Sequence, residues 1–380
     1  MQLALTEDQT MLARSASDYL TQASPLTRLR ALRDEKDARG YSVDVYKKLA
    51  ELGFAGIPFS EADGGAGLGM AETVLVTEAL GKTLAPEPFI PSVVLSGRAL
   101  ALAGSSAQKS AWLEPLIAGE KVLSLAHTTA RGRYDLTRAP FRAEKAGAGF
   151  KLSGQATHVW GGFQADAFVV SARTSGKDGA REGLTLFLVP ANARGLSQKR
   201  LTRVDSLNAA LLSLEGVELT QADVLGKVDE GYGVLTRAVD EATVALAGEM
   251  LGGMQEAFAR TRVYLRERRQ FGVAIGSFQA LKHRAARMFI ELELSRSAVM
   301  AAARALDEQS ADAPQLVSVA KARVSDAYTL IANEAVQMHA GIGMTDEHEI
   351  GFFIKRARAA ELTFGDAAYH RDRFATLGGY

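Results

Sequence analysis

Apolar positions along the chain fall into three regimes. From Thr6 to about Lys121 they recur at helical spacing between breaks. Thr6 followed by Glu7 and Asp8 opens one predicted helix, and Val43 to Leu52 forms another that stops at Gly53. The stretch Ser60 to Gly69, SEADGGAGLG, has too many glycines for a helix interior, so it predicts a loop before a helix from about Met70 to Leu80. Pro86, Pro88 and Pro91 then predict an extended connection.

Between about Val122 and Lys227 the period shortens to two, as in Gly149–Gly154, Ala167–Ala172 and Leu184–Pro190. Short strands between glycine and polar turns predict an antiparallel sheet or barrel, and without long intervening helices a doubly wound nucleotide fold is disfavoured. After Gly231 the helical period returns. Leu281, Ala285, Met288, Leu292, Ser295, Val299, Ala302 and Leu306 draw one narrow seam. Val317, Ala320, Val324, Ala327, Ile331, Ala335 and Met338 draw a second after Pro314. With a helix from about Tyr232 to Glu267 and a shorter one from about Ile350, these make a four-helix bundle. The expected fold is α+β and multidomain: helical over 1–121, β over 122–227 and a bundle over 228–380.

Composition narrows the function. A chain of 380 residues, 47% hydrophobic and 23% charged, can bury a core larger than one ordinary domain. Its 44 basic and 44 acidic residues cancel, which argues against nucleic-acid or anionic-membrane partners. The absence of cysteine removes disulfides, thiolate metal sites and thiol nucleophiles, and fits a reducing compartment. The opening MQLALTEDQTMLARSASDYL lacks the basic start and apolar run of a signal peptide, and no run reaches the roughly 18 apolar residues a membrane span needs. A soluble, cytoplasmic protein is expected.

Candidate chemistry concentrates at two breaks between bundle helices. In Tyr264-Leu-Arg-Glu-Arg268-Arg-Gln270-Phe271-Gly272-Val-Ala-Ile275-Gly-Ser-Phe278-Gln279 a guanidinium, aromatic rings and two amides surround a glycine turn. Such a corner suits an anionic cofactor, with arginine on a diphosphate, a ring on a base and amides on its edges. The plainer alternative is a basic solvated helix end with Phe271 and Phe278 in the core. The segment resembles the flavin-contacting Arg-x-x-Phe-Gly…Ile…Phe-Gln signature of the acyl-CoA dehydrogenase family. The second break, Gln337-Met-His339-Ala-Gly341-Ile-Gly343-Met-Thr345-Asp-Glu347-His348, looks like that family's Gln-x-x-Gly-Gly-x-Gly turn with its following acid. Leu49–Gly53, Gly64-Gly65 and Glu78–Gly81 extend the likeness through the N-terminal region. His339 and His348, separated by nine residues and a glycine turn, are not taken as a metal site.

The resemblance implies FAD wedged between a β domain and a four-helix C-terminal domain, in a tetramer built from dimers. It implies that Arg268, Gln270, Phe271 and Gln279 reach the diphosphate and adenine end of FAD held mainly by a neighbouring subunit, and that Gln337 and Gly341 contact the cofactor. The implied reaction converts an acyl-CoA thioester to a 2,3-enoyl-CoA, a carboxylate removing the α proton while the β hydride leaves to flavin, with electrons passing to an electron-transfer flavoprotein.

Several positions depart from the pattern. The usual base belongs to a Tyr-Glu-Gly-Thr motif, matched here by Thr363-Phe364-Gly365-Asp366, and Phe364 accepts no proton. Asp366 is read as a cofactor or solvent contact. Other members place the base on the first bundle helix at the position of Ala242; Glu241 is one residue, or about 100°, away. It is taken as the candidate base, against the alternative of a solvated or salt-bridged residue. Asp240 falls where an acid often binds CoA. In the β region, main-chain groups of His127 and Thr128 replace the usual cofactor loop, and Trp160 stands where a threonine usually approaches the flavin. His127 and His158 are alternatively packing residues.

These departures resemble a heterotetrameric branch acting on bulky, steroid-type CoA thioesters, in which one chain supplies the base and the other completes the FAD site. A homotetramer, a catalytically silent subunit, and an oxidase or monooxygenase on the same fold remain alternatives.

Overall fold

A computed structural model describes residues 4–380; Met1–Leu3, the start of the segment read as lacking a signal peptide, lie outside the described residues. In chain order the helices are α1 Glu7–Ala23, α2 Leu26–Asp34, α3 Val43–Glu51, α4 Met70–Thr83, α5 Arg98–Ala103, α6 Ser106–Gln108 and α7 Glu114–Ile117, then, after the strands, α8 Gly231–Glu267, α9 Gln279–Asp307, α10 Ala313–Met338, α11 Ile350–Leu362 and α12 Ala367–Leu377. The strands are β1 Leu123–Ala126, β2 Phe141–Ala146, β3 Gly149–Trp160, β4 Ala167–Arg173, β5 Leu184–Pro190, β6 Leu196–Arg200, β7 Ala209–Leu219 and β8 Val224–Leu225, with a small hairpin of β9 Arg269–Gln270 and β10 Val273–Ala274 between α8 and α9. No helix among the described residues is long and apolar enough to cross a membrane.

The chain divides into two compact units, and the N-terminal helices are distributed between them. The first gathers Met1–Ala31, Gly69–Ala85 and Thr243–Tyr380. Thr6 caps α1, as expected, by accepting from the Gln9 backbone, and the Gln9 side chain accepts in turn from the Thr6 backbone. Both bundle seams are realised. Every named residue of the second seam is buried on α10, and on α9 burial runs from Met288 to Leu306, Leu281 and Ala285 being half-buried. A further helix, α12, packs on α10 beyond the four read from the sequence.

The second unit comprises Leu32–Leu68 and Pro86–Ala242. Its sheet runs in the order β6-β7-β3-β2-β4-β5-β8, with β1 also paired to β4. The expected sheet is present and mostly antiparallel; it is open instead of closed into a barrel, and two of its pairs are parallel. One edge of β4 is shared end to end, by β1 from Leu123↔Ala167 to Ala126↔Val170 and by β2 at Phe141↔Ala172 and Arg142↔Arg173. The β2–β3 hairpin forms the crossover that parallel pairing of β1 and β4 requires. Phe141, Phe150, Phe168 and Phe187 fill the core, Phe150 and Phe187 edge to face at 5.2 Å; each buried ring stabilises by about 1.5–3 kcal/mol.

The proline-rich connection also differs from expectation. Phe89–Gly97 is a wide π-type helix that runs into α5 and contains Pro91. Pro91 sits in the first turn, where its missing N–H has no intrahelical acceptor to lose. Ser92, fully buried on this helix, accepts from the Leu123 backbone at 3.0 Å and from the Tyr46 hydroxyl at 3.3 Å, which sets the start of β1.

Candidate cofactor and substrate site

In the sheet unit, β1 and β3 bring His127, Thr128 and Trp160 to neighbouring strand ends. The Ser124 hydroxyl donates to the Trp160 carbonyl at 2.6 Å, and the Thr157 N–H donates to the Thr128 carbonyl at 3.0 Å. A register shift between Ala156 and Val159 bulges β3 here, with His158 at φ +52°. Bulges re-aim side chains, and this one turns His158 outward while leaving Trp160 half-buried at the strand end. Burial pushes the His127 imidazole down to about 4, with a bond to the Leu125 backbone opposing it, so the ring is neutral at physiological pH.

Asp240 and Glu241 lie at the foot of α8 and are both buried. Glu241 is 1% exposed and gripped by two arginines. Arg98 Nε reaches Oε2 at 2.6 Å and Nη2 reaches Oε1 at 3.2 Å, while Arg237 Nε, one helical turn away on α8, reaches Oε1 at 2.6 Å. Arg98 also donates to the Pro58 carbonyl at 2.6 Å. The Arg237–Glu241 pair follows from i,i+4 helical spacing, whereas nothing local signals Arg98, which precedes Glu241 by 143 positions.

In the bundle unit, the β9–β10 hairpin pairs Gln270 with Val273 and turns through Phe271 and Gly272, both at positive φ, +53° and +81°. Two left-handed residues make a type I′ turn, tight and matched to strand twist. Phe271 is 91% exposed and packs edge to face on Phe278, itself 38% exposed, at 6.1 Å. Phe271 and Phe278 therefore do not enter the core, which removes the plainer reading of this corner. Arg268, Gln270 and Gln279 are exposed around them. The corner thus offers a cation, a ring face and amide edges together. That set fits a diphosphate joined to an aromatic base.

The glycine turn after α10 is tied to the corner by a ring stack that sequence spacing did not reveal. Tyr264, whose carbonyl accepts from the Arg268 N–H, stacks on His339 at 4.5 Å, and His339 stacks on His348 at 4.6 Å. His339 Nδ1 bonds the Ala335 carbonyl at 2.7 Å, and burial holds both imidazoles below their usual range. No cluster of three metal-ligating side chains occurs among the described residues. Gln337, near the end of α10, and Gly341 on this turn are exposed, and Ala340 takes φ +54° where the resembled pattern has its first glycine. Asp366 Oδ1 accepts from the Tyr369 N–H at 2.9 Å and caps α12.

Known proteins fit this geometry. Residues 6–120 match the profile of the acyl-CoA dehydrogenase N-terminal domain, and residues 229–376 that of the C-terminal domain. The acyl-CoA dehydrogenase FadE27 of Mycobacterium tuberculosis is 29% identical over 340 residues, covering 88% of this chain and 87% of the relative. The ChsE4-ChsE5 complex from Mycobacterium tuberculosis superposes with a TM-score of 0.90 at 27% identity, covering 100% of this chain and 99% of that one. The Tcur3481-Tcur3483 steroid ACAD does so at 0.87 and 29%, covering 98% of each chain. Two profiles bracketing the sheet, full-length relatives and a shared architecture converge on one conclusion: the chain belongs to the acyl-CoA dehydrogenase family.

Proposed function

We propose that this chain binds FAD through its hairpin corner and takes part in the α,β-dehydrogenation of an acyl-CoA thioester to a 2,3-enoyl-CoA, with electrons passed to an electron-transfer flavoprotein. The observation that supports it most is Phe271, a bulky ring held in a left-handed turn and presented to solvent. Such a conformation costs free energy and persists where function needs it. When bound, FAD supplies the acceptor for the β hydride. The chain's own residues do the rest: Arg268 pairs with the diphosphate, Phe271 covers the adenine, Gln270 and Gln279 bond its edges, and Gln337 and Gly341 flank it, all toward FAD held mainly by an adjoining subunit. His127 and Thr128 offer main-chain groups, Trp160 a wall, Asp366 a polar contact and Asp240 a contact to CoA.

Removal of the α proton is assigned to Glu241 in the simplest form of this reading. A second reading is favoured by the bonds that carboxylate already makes. Both of its oxygens already accept charge-assisted bonds from Arg98 and Arg237, which fit a structural role for this carboxylate. Phe364 offers none, so a homologous partner chain supplies the base, in a heterotetramer comparable to the two-chain ChsE4-ChsE5 complex and on bulky acyl groups.

Expression of the chain alone and with a homologous chain, followed by titration with CoA thioesters, separates the readings. Bleaching of oxidised flavin in the lone chain, abolished by Glu241→Gln, supports the first. Bleaching only in the co-complex, unchanged by Glu241→Gln, supports the second, and a colourless protein in both preparations sinks the proposal.

A further inference from the structure

Lys321 on α10 is fully buried, yet its ammonium is aimed at main-chain oxygens instead of a carboxylate. Nζ donates to the Glu361 carbonyl at 2.9 Å and the Gly365 carbonyl at 2.6 Å, with Ser325 Oγ at 3.3 Å. These carbonyls belong to the end of α11 and the turn beyond it, where helical acceptors run out of partners. On the same turn His370 Nε2 lies 3.1 Å from the Phe364 carbonyl, so that nitrogen carries the proton. Consecutive carbonyls, 364 and 365, are thus each held by a buried side-chain nitrogen.

The turn they hold is a strained one. Phe364 takes φ +59° and Gly365 φ +116°. A Cβ at position 365 would lie 2.4 Å from the Tyr369 ring and 2.8 Å from His370, so the turn has no slack. Strain of this kind survives only where surrounding contacts over-determine it. Immediately after it comes Asp366, and Phe364 occupies the position at which the family pattern usually has its base.

We propose that Lys321 and His370 are positioning residues that clamp the α11–α12 turn and so keep Phe364 and Asp366 in the one geometry compatible with bound FAD. This rests on the reading of Asp366 as a cofactor contact. It extends that reading to two side chains that touch neither cofactor nor substrate.

The titration of the clamp gives it a signature. Burial pushes Lys321 down to about 7; Glu361 and Asp366 pull it back up, and Arg356 pushes it further down. His370 is pushed to about 3 by burial first, then by Lys321 and Arg373, and stays neutral. An ammonium has three N–H groups for its three acceptors and an amine has two. The grip is therefore fullest below about pH 7, and FAD retention falls as pH rises from about 6 to 8.5. Global stability moves the other way over the same range, because the unfolded lysine keeps its proton up to about pH 10.4 while the folded one loses it near 7. A purely structural lysine would move stability alone.

The experiment compares wild type, Lys321→Met and His370→Phe as full chains in the assembly that binds FAD, by amide hydrogen exchange over residues 364–369 and by FAD dissociation constant against pH. For K321M we expect retained cooperative melting, roughly tenfold faster exchange in that segment, and roughly tenfold weaker FAD binding at low pH that no longer varies with pH. Wild-type FAD affinity and pH profile in K321M would overturn the proposal, whatever its stability. Should K321M fail to fold, H370F, which deletes one bond, carries the same two readouts. Failure of the wild-type chain to bind FAD in any assembly overturns the proposed function and this inference with it; normal wild-type binding with indifferent variants overturns this inference alone.

Discussion

Helix α8 carries two buried glutamates about two turns apart, and the two are balanced differently. Glu249 meets one arginine, Arg356, in a two-pronged pair at 2.6 and 3.0 Å, with side chains 9% and 3% exposed. Glu241 meets two arginines whose side chains stay 20% and 35% exposed. The first is a neutral, dry pair joining α8 to α11. The second sets two cations on one carboxylate and reaches water. Removing a carboxylate from a dry pair leaves an uncompensated ion; removing it from a wet triad leaves two ions that can rehydrate. The wetness and number of their cations, more than burial itself, thus distinguish the two buried acids of α8.

Glu249→Ala is expected to cost the most, about 3–5 kcal/mol by urea unfolding. The double change Glu249→Leu with Arg356→Met recovers most of that loss, since no ion is left stranded. Next comes Gly252→Ala, at about 1–3 kcal/mol or more. A Cβ there would lie 1.9 Å from the Glu78 carbonyl, just as one on Gly81 would lie 1.9 Å from the Glu249 carbonyl, and backbone cannot yield as a side chain can. Glu241→Ala is expected to cost about 2 kcal/mol. A loss as large as that of Glu249→Ala would show the triad to be equally dry.

Acid probes the same dry interior. The unfolded His370 takes up a proton below about pH 6.5, whereas the folded one resists until about 3. Its share of stability is complete above pH 6.5 and lost on acidification at about 1.4 kcal/mol per pH unit, and His370→Phe flattens the slope by that amount in denaturant titrations at pH 4 to 7. Arg237→Ala is expected to cost under about 1 kcal/mol, because Arg98 still holds Glu241 and the lost partner is partly solvated. A larger loss would mean that the two arginines are not interchangeable supports.

The sequence disclosed whatever depends on periodicity and local turn chemistry. The α9 and α10 seams, the Thr6 cap and the loop around Gly64 and Gly65 follow from spacing and residue type. Tertiary pairing was illegible. The parallel β1–β4 contact depends on a crossover, and the Arg98–Glu241 and Lys321–Gly365 bonds join residues that no local pattern relates. Pro91 misled because proline forbids a helix interior but not its first turn. His339 and His348 are nine residues apart and were not read as a pair, yet the intervening turn stacks His348 on His339, which stacks on Tyr264. Of the candidate site, the hairpin residues were legible because they are contiguous. The Arg98 contact to Glu241 was not.

The exposed ring at the hairpin tip has a consequence for how this chain can change over time. Phe271 touches little of its own molecule, and asparagine or glycine would relieve its left-handed backbone. Damage at this position therefore escapes any cellular surveillance that senses melting or exposed core. On the proposed function, only a companion that fails to dock registers it, which leaves the tip policed by company and not by folding.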